Sequence, residues 1–266
     1  MQRPIITLTT DFGLNDHFVG AMKGVILHAA PEAEIIDISH AVQPFDILDG
    51  ALTISQAYSY FPSGTVHVVV VDPGVGTARR PIILSGDRHS FVAPDNGVLS
   101  LVYEREERRS VRHVTAEHYF LQPRSNTFHG RDIFSPVAAY LAKGVEPARF
   151  GEEVTDYVRF AAPRAKPVEE RTLRGVVLKV DRFGNLITNI TPADIPRLFE
   201  PAAAFKITVG KGQVTRICAN YAEGGPGEAF GILGSMGYLE IATNRGSAYQ
   251  FLGAAKGSDV TVVMEG

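Results

Sequence analysis

Apolar positions along the chain follow two different rhythms. Before about residue 162, short β-branched runs alternate with stretches whose apolar residues recur every three or four positions; beyond it, brief alternating runs follow one another between turns. Ile5 to Thr10 reads as a first strand, and Phe18 to Ala30 as a helix through Phe18, Met22, Val25, Ile26 and Ala29, closed by Pro31. Ile35 to Ile38 gives a second strand, and Ile47 to Phe61 a second helix with Ile47, Ala51, Ile54 and Tyr58 on one face. Val66 and Val68 to Val71 form a nearly unbroken apolar run between Gly64 and Pro73, which predicts a central parallel strand covered on both faces. Pro81 to Ser85 and His89 to Ala93 read as a hairpin around Gly86 to Arg88, and Asp95 is placed to cap a helix running to about Arg105. Val111 to Val114 is a further strand, and Ile133, Phe134, Val137, Ala138 and Leu141 give the last helical pattern.

The segment APRAKPVEE, residues 162–170, is rich in proline and charge, so 163–173 reads as a linker between an N-terminal domain over 1–162 and a C-terminal domain over 174–266. In the second domain Val176 to Val180, Leu186 to Ile190, Phe205 to Val209, Val214 to Ala219, Gly237 to Ala242 and Val260 to Met264 are short strands with little helical period. The expected fold is therefore an α/β N-terminal domain with a mainly parallel central sheet, followed by a C-terminal all-β barrel.

Composition narrows the function. A chain of 266 residues with 45% hydrophobic content can bury two cores, and a net charge of −3 without a dense basic cluster argues against a nucleic-acid partner. No apolar run approaches the roughly 20 residues of a membrane helix, and strand-like residues follow Pro4 at once, so the cytoplasm is the expected compartment. The single cysteine, Cys218, excludes an intramolecular disulfide and a cysteine-based zinc site.

Candidate chemistry gathers where strands end. Asp11 closes the first strand and Asp72 the valine run, and ligands of open α/β sheets collect at the carboxyl ends of strands. The turn after Asp72 lacks the third glycine and following helix of a dinucleotide fingerprint, and carries Arg79 instead. His129 stands at a loop-to-helix junction. Asp11, His17, His40, Asp72, His129 and Asp132 offer metal-ligand atoms, but no HExxH or comparably spaced pair organises them, and no GxSxG elbow marks a serine nucleophile. Asp72, Arg79 and His129 can instead act on water: a fixed cation lowers its pKa, a neutral imidazole accepts its proton and a carboxylate orients both.

Several motifs in order carry a resemblance: TTDFGLNDHF (9–18), VDPGVGTARR (71–80), PDNG (94–97), TFHGRDIF (127–134), DRFGNLITN (181–189) and SMGYLEIATN (235–244). Together they closely resemble the S-adenosyl-L-methionine (SAM) hydroxide adenosyltransferases, which are related to the SAM-dependent fluorinase and chlorinase. The resemblance implies a homotrimer with sites between subunits, and hydrolysis of SAM to adenosine and L-methionine with neither metal nor other cofactor. Carried over by motif, Asp72, Arg79 and His129 would activate water, and Asp11 would take the ribose hydroxyls. Phe45 and Phe183 would flank the ligand, Asp16, Asp181 and Ser235 would hold its amino-acid end, and Asn185 the adenine; Glu240 joins this set.

Departures from the halogenase branch matter. Asp72 stands where those enzymes have tyrosine, Val75 and Gly130 where they have halide-binding hydroxyls, and His129 where they have a second tyrosine. Met236 replaces the arginine that grips the methionine carboxylate, and Phe18 replaces a serine near the amino-acid end. Two alternatives remain beside the hydrolase, a SAM-dependent halogenase and a non-catalytic protein that binds SAM or adenosine.

Overall fold

A nearly unbroken valine run builds the centre of the first sheet. The computed structural model describes residues 3–200 and 203–265, which divide into two compact units between Ala162 and Pro163. The first unit contains β1 (Ile5–Thr10), α1 (Phe18–Ala29), β2 (Glu34–Ser39), α2 (Ile47–Ala57), β3 (Val66–Val70), β4 (Pro81–Ser85), β5 (Ser90–Pro94), α3 (Ser100–Tyr103), β6 (Ser110–His113) and α4 (Ser135–Ala142). Its sheet has the order β2-β1-β3-β5-β4-β6, and only β4 runs against its neighbours.

Every residue of β3 is buried. Val66, Val68 and Val70 pack into one core with Met22, Ile26 and Phe134, while Val69 and Val71 enter a second with Ile54, Phe91 and Val102. Successive strand side chains point to opposite faces, so this run fills two cores at once and fixes the helix-sheet-helix layering. Each such valine, fully buried, contributes roughly 1.5–3 kcal/mol relative to an exposed one.

Three local readings are corrected. Asp95 caps no helix, because its carboxylate accepts from Arg80 (Nε 2.9 Å, Nη2 2.7 Å) and from the Val158 amide (2.7 Å); the following helix spans only Ser100–Tyr103. The second helix stops at Ala57 and tightens into a 3₁₀ turn over Tyr58–Tyr60. A π-helical turn, Gly130–Phe134, precedes α4.

The second unit comprises β7 (Lys166–Glu169), β8 (Thr172–Val180), β9 (Leu186–Thr188), β10 (Phe205–Val209), β11 (Gly212–Val214), β12 (Ile217–Cys218), β13 (Ala229–Leu233), β14 (Leu239–Thr243), α5 (Ala248–Leu252) and β15 (Asp259–Met264). They form a curled, mostly antiparallel half-barrel, ordered β11-β10-β15-β8-β9-β14-β13-β12, with β7 paired to β8. The long β8 pairs with β15 through its first half and β9 through its second, joining the two ends of the sheet. Within the stretch read as a linker, residues 166–169 are strand, because Lys166, Pro167 and Glu169 find ladder partners on β8 that composition does not reveal. The run Val214 to Ala219 is broken into β11 and β12, and β13, missed in AFGIL for want of alternation, is paired along its length to β14 and through Gly231 and Ile232 to β12.

A buried imidazole lies on β3. His67 is fully buried, stacks on Phe91 with centroids 4.9 Å apart, and is hydrogen-bonded through Nδ1 to Thr7 Oγ1 at 2.7 Å. Its Nε2 lies 3.3 Å from Nδ1 of His89. Burial, reinforced by His89, pushes its pKa down to about 3. An unfolded histidine titrates near 6.5, so the unfolded chain binds the extra proton first. Stability from this group is therefore complete above about pH 6.5 and lost progressively as pH falls toward about 3. Urea unfolding across that range will show the decline, and His67→Phe, which keeps the stacked ring without the titrating nitrogen, will shallow it; an unchanged slope would contradict the assignment.

Candidate active site

Asp72 lies just past the carboxyl end of β3, and the turn that follows folds its chain back toward it. Thr77 donates through both its amide (3.2 Å) and its hydroxyl (2.7 Å) to the Gly74 carbonyl. Gly76 has φ +76°, and a Cβ there would stand 2.2 Å from the carbonyl oxygen of Asn126. Only glycine meets both conditions, so the turn can rest directly on the loop that leads to His129.

This close approach brings the three sequence candidates together. Arg79 Nε donates to both carboxylate oxygens of Asp72 (3.0 and 2.9 Å), and its Nη2 donates to Asp72 Oδ2 as well. The same Nη2 donates to Nδ1 of His129 at 2.7 Å. Both members of the ion pair are buried, with side chains 4% and 8% exposed, and the guanidinium carbon sits 5.2 Å from the centre of the Phe134 ring. Burial, and then the positive charge of Arg79, lower the pKa of His129, which keeps the ring neutral near pH 7.

The turn after His129 is held from beneath. Asp132, fully buried, accepts from the Ser125 amide (2.8 Å) and from Arg131 Nε (2.6 Å), while Ser135 Oγ donates to the Gly130 carbonyl (2.8 Å). A π-turn places one extra residue in the helix, a feature often found at functional sites. Here it directly follows the imidazole.

Asp11 stands beside this group, since β1 and β3 are paired neighbours with Thr10 opposite Val70. Its Oδ2 accepts from the Phe45 amide at 2.8 Å, and burial, opposed by that bond and aided by the charge of Asp72, raises its pKa. Phe45 has φ +66° and an exposed ring, an unusual backbone state for a bulky residue. Asp16 is exposed in the loop before α1. His40 supports the same region in a way the sequence did not signal: Nδ1 lies 2.9 Å from Thr10 Oγ1, Nε2 3.0 Å from Asp37, and its carbonyl accepts from Gly13.

The second unit gathers its own set. Asp181 Oδ1 accepts from the amides of Phe183 and Asn185, both at 2.8 Å, and Oδ2 accepts from Asn185 Nδ2 at 2.9 Å. Asp181, Phe183, Asn185, Ser235 and Glu240 all line one cavity of about 790 Å³, ample for a nucleoside-sized ligand. Glu240, buried, accepts from Tyr221 Oη at 3.1 Å, and burial raises its pKa, with Asp181 adding to the rise. Tyr221 and Arg245 also border the cavity and were missed, because neither stands in a motif whose chemistry is legible from spacing. The six metal-ligand candidates do not converge: among the described residues no group of three or more His, Cys, Asp or Glu side chains is arranged to hold a metal ion.

The profile of the SAM hydroxide adenosyltransferase N-terminal domain matches residues 6–151, and that of the C-terminal domain residues 175–261. The chain belongs to this family. A relative from Thermus thermophilus named (R)-S-adenosyl-L-methionine hydrolase is 37% identical over 98% of this chain and all of its own length. A fluorinase from Nocardia brasiliensis is more distant, 29% identical over 94% of each chain. Among solved structures, an uncharacterized conserved protein from Thermotoga maritima superposes with a TM-score of 0.89 at 37% identity, covering 97% of this chain and 99% of its own. In this member of the SAM hydroxide adenosyltransferases, Asp72, Arg79 and His129 form one hydrogen-bonded array, Asp11 and Phe45 a second, and the five residues of the C-terminal unit share a cavity.

The array makes a directional prediction. Arg79→Gln removes the cation that lowers the His129 pKa and leaves Asp72, which raises it, so the imidazole will titrate at higher pH. The orphaned carboxylate will cost roughly 3–5 kcal/mol of stability. Histidine NMR titration and chemical unfolding of the variant read the two effects separately.

Proposed function

We propose that the chain hydrolyses SAM to adenosine and L-methionine, with Asp72, Arg79 and His129 acting on the oxygen nucleophile. The observation that carries this reading is the continuous contact from carboxylate to guanidinium to imidazole, in a chain that aligns end to end with a named SAM hydrolase. An oxygen nucleophile attacks C5′ of the ribose in line with the sulfonium, and methionine departs as a neutral thioether. Because an anion and a cation neutralise each other as the bond forms, a site poor in water favours the transition state, and fixed positioning supplies much of the remaining acceleration.

The other roles follow the family motifs in which the side chains stand. Asp11 accepts from the ribose hydroxyls, Phe45 and Phe183 cover the ligand's apolar faces, and Asn185 meets the adenine. Asp16, Asp181 and Ser235 hold the amino-acid end, with Glu240 beside them. The protein works as a homotrimer with its sites at subunit interfaces, and needs neither metal nor other cofactor. Hydrolysis is favoured over halogenation by Gly130, where an added Cβ would press on Met22 Sδ (3.2 Å) and on the Phe12 ring (3.4 Å), leaving little room for a hydroxyl-bearing side chain.

Incubation with SAM, with and without chloride or fluoride, will yield adenosine and methionine and no 5′-halo nucleoside; binding without product would leave a SAM-binding protein instead. His129→Ala will slow turnover by roughly a hundredfold or more while adenosine affinity stays within about tenfold, and unchanged turnover would remove His129 from the mechanism. Light scattering after gel filtration is expected to give three times the mass of one chain, and a monomer retaining full activity would refute the interface site.

A further inference from the structure

We propose that His129 serves this reaction as an Nε2–H hydrogen-bond donor to an incoming hydroxide ion, not as the base that deprotonates water. The inference rests on the hydrolase reading and assigns the protonation state and role of one of its groups. It begins with a constraint of bonding. A guanidinium has only donors, so its 2.7 Å contact with His129 Nδ1 consumes the lone pair of that nitrogen. A neutral imidazole carries one proton, which must then sit on Nε2. In that tautomer Nε2 has no lone pair with which to accept a proton.

Other states of the ring are disfavoured by the same contact. A proton on Nδ1 would aim one N–H at another across 2.7 Å, and a doubly protonated ring would press an imidazolium against the guanidinium. The groups around the ring do not reverse this. Arg79 from the strand-end turn and Arg124 from the preceding loop oppose a positive ring, Asp72 and Asp132 favour one, and burial outweighs them all in keeping it neutral.

Two donors are then left over. His129 Nε2 and Arg79 Nη1 are buried and have no hydrogen-bond partner among the described residues, a state that is costly for a buried polar group unless a ligand satisfies it. Both side chains border one polar cavity of about 310 Å³, lined also by Thr77, Asn126, His113 and the ion-paired Glu117 and Arg124 (3.1 Å), whose charges offset each other. Paired unsatisfied donors beside a fixed cation suit a small anion better than a neutral water, which must donate as well as accept.

The step balances without a proton reaching His129. A lone pair of hydroxide forms the O–C5′ bond, the C5′–S pair stays on sulfur, and the products are adenosine and neutral-sulfur methionine. The counter-proton remains in solvent from the ionisation that supplied the hydroxide.

Three readouts test this on the full-length enzyme. Two-bond ¹H–¹⁵N spectra of histidine-labelled protein will show Nδ1 of His129 unprotonated above about pH 6.5, and this stands whether or not SAM is hydrolysed. At saturating SAM, turnover will keep rising with pH above that value, with an inverse or absent solvent deuterium effect. His129→Gln, which keeps an N–H donor but is no base, will hold that rise and lose less than about tenfold, against the roughly 10²–10⁴-fold expected for loss of a general base. A proton on Nδ1, a wild-type rate flat above about pH 6.5, or loss of the pH dependence in His129→Gln would overturn the assignment. A wild-type enzyme that releases no adenosine would instead refute the hydrolase reading and leave the NMR result to judge the tautomer alone.

Discussion

A buried ion pair between Asp72 and Arg79 is the contact on which the candidate site depends. Two charges held at side-chain exposures of 4% and 8% have given up most of their hydration, and only a multiply bonded arrangement offsets that cost. The geometry leaves the guanidinium one orientation. With Nε and one N–H of Nη2 committed to the carboxylate, the second N–H of Nη2 is turned toward His129, and the imidazole takes its tautomer from that bond. One salt bridge thus decides the protonation pattern of its neighbour.

What holds that pair in place is the sheet. Because β3 is buried on both faces, its carboxyl end has little freedom, and Asp72 inherits the rigidity of the strand. Asp11 ends the adjacent strand in the paired register, which sets two carboxylates side by side and raises the pKa of one through the charge of the other as well as through burial. Phe45 is kept in its left-handed backbone state by the bond from its amide to Asp11, a conformation that costs on the order of 1–3 kcal/mol. Strain and buried charge collect at this end of the sheet, while the ordinary valine packing beneath supplies the stability that tolerates them.

The C-terminal unit solves a different problem. Asp181 spends its carboxylate on a turn, fixing the Phe183 and Asn185 amides, so its residues come to the cavity in a set arrangement. Glu240 and Asp181 share the cavity wall with Lys179 and Arg245, so both signs of charge meet there, and the hydrogen bond from Tyr221 steadies Glu240 against the rise that burial imposes.

The sequence alone determined which strand is central and where the reactive groups lie along the chain. A nearly unbroken, β-branched run this short, bounded by Gly64 and Pro73, reads as a strand covered on both sides, and residues at its end inherit a place that topology makes a site. It determined less where the cause is pairing at a distance: the strand over 166–169, the sheet partners of residues 229–233 and the diversion of Asp95 from a helix cap to Arg80 all depend on partners supplied by remote segments. The tertiary structure alone decided that Gly76 lies on the Asn126 carbonyl and that Arg79 reaches His129 across fifty positions of chain. Hydrogen-bond direction, and with it the tautomer of a buried imidazole, is a property of atoms brought within 3 Å of each other, and no spacing along a sequence encodes it.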